Sequence, residues 1–111
     1  MTIQELIETN EFSKIAIGDN LERIITTPFC CDLLSIAMSK APADSVWVTV
    51  MGNINTLAVA TLADVACIIL AEGAVLDDAA LKKAEMQKIT VLSSDEPIFD
   101  VAFRVYQQLH A

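Results

Sequence analysis

Glycine, proline and histidine are scarce in this 111-residue chain, which has three glycines, three prolines and one histidine. With glycines only at Gly18, Gly52 and Gly73, neither a G-x-x-x-x-G-K-[ST] phosphate loop nor a G-x-G-x-x-G dinucleotide fingerprint can be written. No G-x-S-x-G elbow exists, and His110, the penultimate residue, is expected to be too mobile to act as a triad base. Phosphoryl transfer from a triphosphate, Rossmann-type dinucleotide binding and triad hydrolysis all lack their residues. The shortage of glycine and proline also removes collagen-like and low-complexity classes, and a 54% hydrophobic content removes intrinsic disorder.

Positive charge is short as well. Seven basic residues against fifteen acidic ones give a net charge of −8, which opposes the counterion release that supplies most nucleic-acid affinity, so no nucleic-acid partner is expected. Long apolar runs are missing: the longest, Val65 to Ala71 (VACIILA), is far below the roughly 20 residues of a membrane helix, and no membrane partner is expected. The amino terminus, MTIQELIETNEF, is acidic where a secretory leader would be basic, and a cytoplasmic location is expected. Cysteines are three, Cys30, Cys31 and Cys67, with no C-x-x-C spacing and no nearby nitrogen ligand. They read as small, reduced, buried hydrophobes, and no metal or cofactor is expected.

What remains is one domain with enough mass for a real core, about 65% of its unfolded surface being buried by the usual scaling. Thr2 and Glu5 stand at capping-box spacing ahead of Leu6 and Ile7, predicting a short first helix up to Asn10. Ile15 to Ile17 and Ile24 to Thr27, separated by Gly18-Asp19-Asn20, read as two strands. Thr27-Pro28 reads as a helix entry, with Phe29, Cys30, Leu33, Leu34, Ala37 and Met38 at helical spacing until Ala41-Pro42. Val46 to Met51 is a strand buried on both faces, and Trp47 on it is a core or interface residue. A helix from Thr56 to Ala63, a strand from Cys67 to Leu70, a helix opened by Asp77 and Asp78, a strand from Thr90 to Leu92 and a final helix carrying Ile98, Ala102, Val105, Tyr106 and Leu109 follow. This alternation implies a three-layer α/β/α fold with a mostly parallel sheet. A ferredoxin-like sandwich is the alternative, disfavoured because the later strands show no polar face.

Open parallel sheets bind ligands beyond the carboxyl ends of their strands. Gly52-Asn53-Ile54-Asn55, Ala71-Glu72-Gly73 and Ser93-Ser94-Asp95 are the loops placed there, and the first feeds a helix amino terminus suited to an anion or carbonyl group. Gly52, Asn53, Asn55, Glu72 and Gly73 are therefore the candidate ligand-binding residues. Each also has a plain structural role open to it: Asn53 or Asn55 as a helix cap, Gly73 in a left-handed turn, Ser94 as the cap of the last helix. Asp64 reads as a solvated helix-end residue, since no partner carboxylate is placed beside it for general acid–base work.

The run CDLLSIAMSKAPADSVWVTVMGNINTLAVATLADVACIILAEG, Cys31 to Gly73, resembles the DRTGG domain family, in particular a short single-domain branch found beside iron-only hydrogenase genes in anaerobic bacteria. The similarity extends from about Ile15 to Phe99. It implies a fold like that of the amino-terminal domain of HPr kinase/phosphorylase and a regulatory role, as where the family stands beside CBS domains and in long phosphate acetyltransferases. Gly52 and Gly73 match the family's Gly-Asp-Arg and Thr-Gly-Gly stretches, whereas Asn53, Ile54, Ala71 and Glu72 replace Asp, Arg, Thr and the first Gly of the pair. An anion site built on that Arg is thus not carried over.

Two functions follow as expectations. One is a non-catalytic regulatory or sensor domain, homodimeric, binding a small ligand or a hydrogenase or redox partner. The other is a small enzyme or accessory factor acting on a hydrogenase or iron-sulfur substrate through Cys30, Cys31 or Glu72. The high apolar content of so short a chain motivates the homodimer.

Overall fold

In the computed structural model, which describes residues Met1–Ala111, ten elements follow one another: α1 (Ile3–Glu8), β1 (Ser13–Ala16), β2 (Pro28–Cys30), α2 (Leu34–Lys40), β3 (Val46–Thr49), α3 (Ile54–Ala63), β4 (Cys67–Leu70), α4 (Asp78–Gln87), β5 (Val91–Ser93) and α5 (Ile98–Leu109). The strands form one sheet in the order β1-β5-β4-β3-β2. β2 to β5 are mutually parallel, with Val46 opposite Cys67 and Ile68 opposite Val91, and β1 closes the far edge antiparallel to β5. The parallel run establishes the α/β class and excludes the ferredoxin-like alternative, whose sheet is antiparallel.

Strand side chains alternate between two cores. Val46, Val48, Cys67, Ile69 and Leu92 point to the layer formed by α1 and α5, where Ile3, Leu6, Val101 and Val105 meet them. Trp47, Ile68, Leu70 and Val91 point to the layer formed by α2, α3 and α4, packing on Ala37, Leu57, Ala60, Ala80 and Ala84. Small residues on these three helices let them lie close to the sheet while Trp47 fills the space beneath. Trp47 is fully buried, and its indole Nε1 donates to the Cys31 carbonyl at 2.9 Å.

Local chemistry sets the helix ends. Thr2 Oγ1 accepts from Glu5 N–H while the Glu5 carboxylate accepts from Thr2 N–H, the reciprocal capping box. Asn53 caps α3 and Asp77 caps α4 through their side-chain oxygens, and Asp64 and Lys88 end these helices in the left-handed conformation. Ser94 does not cap α5; its hydroxyl accepts from Glu96 N–H within the preceding turn, and Pro97 stands at the cap position.

Two expectations fail around Pro28. The segment from Pro28 is strand β2, and helix α2 starts only at Leu34. Proline is tolerated as the first residue of an edge strand because the donor it lacks would point away from the sheet. The partners on the inner side are all supplied: Val46 N–H donates to the Thr27 carbonyl and Cys31 N–H to the Val48 carbonyl. With β2 at the edge, the stretch from Ile24 to Thr27 has no place in the sheet and keeps a single bridge from Ile24 to Thr2. The cysteines also divide. Cys67 is buried, its thiol pushed up to about 12 by burial, while Cys31 is half-buried and Cys30 exposed, contrary to the expectation for those two.

Candidate functional site

The parallel strands deliver their carboxyl ends to one rim, and the loops along it hold each other. At the end of β3, Thr49 is fully buried and its hydroxyl donates to Asp32 Oδ1 at 2.7 Å; the same oxygen accepts from Val50 N–H at 3.0 Å. Met51 N–H in turn donates to Thr49 Oγ1 at 3.3 Å. The chain thus places its own carboxylate over the donors that a parallel strand presents there. Asp32 carries no distinguishing signal in the sequence, because its role depends on β2 being a strand that ends beside β3.

Gly52 follows, and its backbone is pressed against the loop after β4. A Cβ at this position would lie 2.0 Å from the Val75 carbonyl oxygen, and Asp77 N–H donates to the Gly52 carbonyl at 2.9 Å. Only glycine allows this approach. Asn53 Oδ1 accepts from Asn55 N–H at 3.0 Å and from Thr56 N–H at 3.2 Å, so its carbonyl serves as the cap of α3, and Asn55 lies exposed in the first turn.

After β4 the chain turns through two consecutive left-handed residues, Glu72 at φ 58° and Gly73 at φ 70°. Glu72 N–H donates to the Glu96 carbonyl and Gly73 N–H to the Ser94 carbonyl, tying this loop to the one after β5. The left-handed geometry suits Gly73; at Glu72 it costs backbone energy that these bonds offset. A cleft of about 250 Å³ opens beside it, lined by Ile15, Gly73, Val75, Leu76, Ser93 and Asp95 among others. Of the five candidate residues Gly73 alone borders this cleft. Gly52, Asn53 and Asn55 gather at the start of α3, while the exposed Glu72 lies beyond β4 on the shoulder of the turn.

The opposite end of the sheet holds a charged cluster that sequence reasoning did not assemble. Arg23, with a side chain 18% exposed, hydrogen-bonds through Nε to Asp44 and through Nη2 to the carbonyl and carboxylate of Asp64. Burial works against its charge, and the hydrogen bonds to Asp44 and Asp64 outweigh it, holding the guanidinium above its ordinary pKa. A hollow of about 210 Å³ lies alongside, bordered by Asp19, Arg23, Thr61, Asp64 and Lys88. Asp64 is here the left-handed end of α3 and an ion-pair partner, in keeping with the helix-end reading. No three of the His, Cys, Asp and Glu side chains come together in a group that could hold a metal ion.

Comparison with models of known protein families gives no match to this chain. Comparison with curated proteins gives none either.

Proposed function

We propose that this chain is a DRTGG-like regulatory module of the cytoplasm, homodimeric and without a reaction of its own, that binds a small ligand at the carboxyl rim of its sheet. The observation carrying this reading is the rim itself: four parallel strands end together there, a capped helix of ten residues starts there, and the cleft beside Gly73 opens there. The resemblance from Cys31 to Gly73 supports a regulatory setting, with a hydrogenase or redox protein as the regulated partner. Both Asp32 and Glu72 bring negative charge to the rim, which repels highly charged phosphates in a partly buried medium. A neutral or adenine-bearing ligand fits better than a triphosphate.

A nucleotide and metabolite panel read by thermal shift tests the proposal. A ligand of the cleft should raise the melting temperature of the wild-type protein, and Ser93→Leu, which narrows the cleft, should abolish that rise, whereas Asn53→Ala, outside the lining, should keep it while costing the free protein about 1 kcal/mol of capping. An undiminished response in Ser93→Leu, or none in wild type across the panel, sinks the cleft as a site.

The exposure of Cys30 favours a second reading, an accessory factor using a thiol. Partial desolvation of its thiol, and then the charge of Asp32, push the Cys30 thiol up, leaving less thiolate near neutral pH than a free cysteine would have. Fast labelling of Cys30 at neutral pH would reverse this preference.

A further inference from the structure

The two edges of the sheet are finished differently. β1 is bulged between Lys14 and Ala16, and a bulge with a lysine beside it breaks the ladder another strand would need. At the other edge, β2 leaves one residue fully unpaired on its outer side. Thr27 and Cys31 spend their backbone bonds on β3, so the alternation of a parallel ladder turns both the N–H and the C=O of Cys30 outward. A residue that offers one donor and one acceptor to the same side is complementary to itself: in an antiparallel pair, two such residues exchange both bonds across a two-fold axis.

The surface next to this edge is apolar. A groove of about 410 Å³ runs between β2 and α5, lined by Pro28, Cys30, Phe99, Ala102, Phe103 and Tyr106, with no charged side chain among them. On α5 the positions Phe99, Ala102, Phe103 and Tyr106 form a stripe spaced i, i+3, i+4, i+7, separate from the Val101 and Val105 stripe that faces the core. Phe99 is 73% exposed, Phe103 47% and Tyr106 50%, and the two phenylalanine rings stack at 5.8 Å. At roughly 200 Å² per aromatic side chain, these exposures amount to about 350 Å², near half of the roughly 800 Å² per partner of a standard interface.

The geometry points to a second copy of this chain as the occupant, docked about a two-fold axis normal to the sheet, with β2 paired antiparallel to β2 at Cys30 and α5 packed antiparallel on α5. That axis keeps both α5 helices on one face of a continuous ten-stranded sheet. Centred near Ala102 and Phe103, it sets Phe99 of each copy against Tyr106 of the other, with the small Ala102 permitting close approach. A net charge of −8 opposes the approach of a second copy at any face, and the opposition is smallest here, where the groove lining carries no charged side chain. The surface rests on the homodimeric reading above and adds where the copies meet.

Light scattering of the full chain at micromolar concentration, together with cross-linking by a short bis-maleimide at mildly alkaline pH, tests it. The expected result is a dimer mass and a covalent dimer that disappears in Cys30→Ser and persists in Cys31→Ser. Phe103→Asp, at a half-exposed position, should weaken association by about a hundredfold or more by setting two carboxylates at the axis. Circular dichroism checks that this variant keeps its helices, and the cross-link in unmutated protein does not depend on its folding. A wild-type monomer overturns the homodimer and its surface together. A dimer that Cys30 does not cross-link and that Phe103→Asp leaves intact overturns this surface alone.

Discussion

The two ends of the sheet share one closing device, a glycine pressed on a carbonyl, and differ in what is added to it. At the amino end Gly18 is pressed on the Lys88 carbonyl, whose oxygen a Cβ would meet at 2.0 Å, while its N–H donates to Thr90 Oγ1, and residues far apart in sequence are drawn together by charge, Arg23 reaching Asp44 and Asp64. At the carboxyl end the closure is made by backbone, with Gly52 against Val75, Glu72 to Glu96 and Gly73 to Ser94, and by the neutral and charged acceptors Asn53 and Asp32. A charge cluster tolerates small displacements, because Coulomb attraction changes slowly with distance. Backbone contacts do not, since steric repulsion and hydrogen-bond geometry fail within a fraction of an ångström. Both ends are therefore held by shape at a glycine, and only the amino end adds a charge cluster that can yield.

Substitutions at the two ends should separate these modes. The largest loss is expected for Gly52→Ala, whose methyl would meet the Val75 carbonyl oxygen at 2.0 Å. Moving that loop should cost about 3 kcal/mol and lower Tm by roughly 10–20 °C, measured by thermal unfolding. Arg23→Ala at the other end comes next. Its partners Asp44 and Asp64 are 40% and 73% exposed and can take up water, so the loss should be about 1–2 kcal/mol, below that of a fully buried pair. Denaturant melts that rank Arg23→Ala above Gly52→Ala would invert the comparison. The smallest effect on stability belongs to Asp32→Asn, which keeps an acceptor for Thr49 and Val50 but removes the charge. Because that charge is the second cause, after burial, of the raised Cys30 thiol, the variant should lower the thiol's pKa and label severalfold faster at fixed pH. Unchanged labelling would mean that Asp32 acts on Cys30 through no charge at all.

How far the sequence was legible follows from the same contrast. The stretch from Val46 to Gln87 could be read because its signals are local: Asn53 and Asp77 cap within three residues, and Val46–Thr49 and Cys67–Leu70 are unbroken apolar runs. The Pro28 segment was misread because Thr-Pro followed by Phe and Cys has both a helix-entry and an edge-strand meaning, and only β3, which follows α2, decides between them. The rim loops were located correctly by topology, but the role of Asp32 and the interlock of Gly52 with Val75 depend on neighbours up to some twenty residues away. The Arg23 cluster joins three segments that no spacing relates.

The antiparallel strand at the far edge bears on how the protein is made. Ser13 pairs with Ser93, eighty residues later, so β1 leaves the ribosome well before its partner exists. At the usual 5–20 residues per second the wait is roughly 4–16 s, long beside the microseconds to seconds in which small domains fold. β2, β3 and β4 can pair in the order they emerge, but the sheet has no place for β1 until β5 is laid down between it and β4. During that interval Ile15 and Ile17 belong to an unanchored leading segment, and a nascent chain stalled before Val91 would present them to whatever chaperone or protease stands at the tunnel exit.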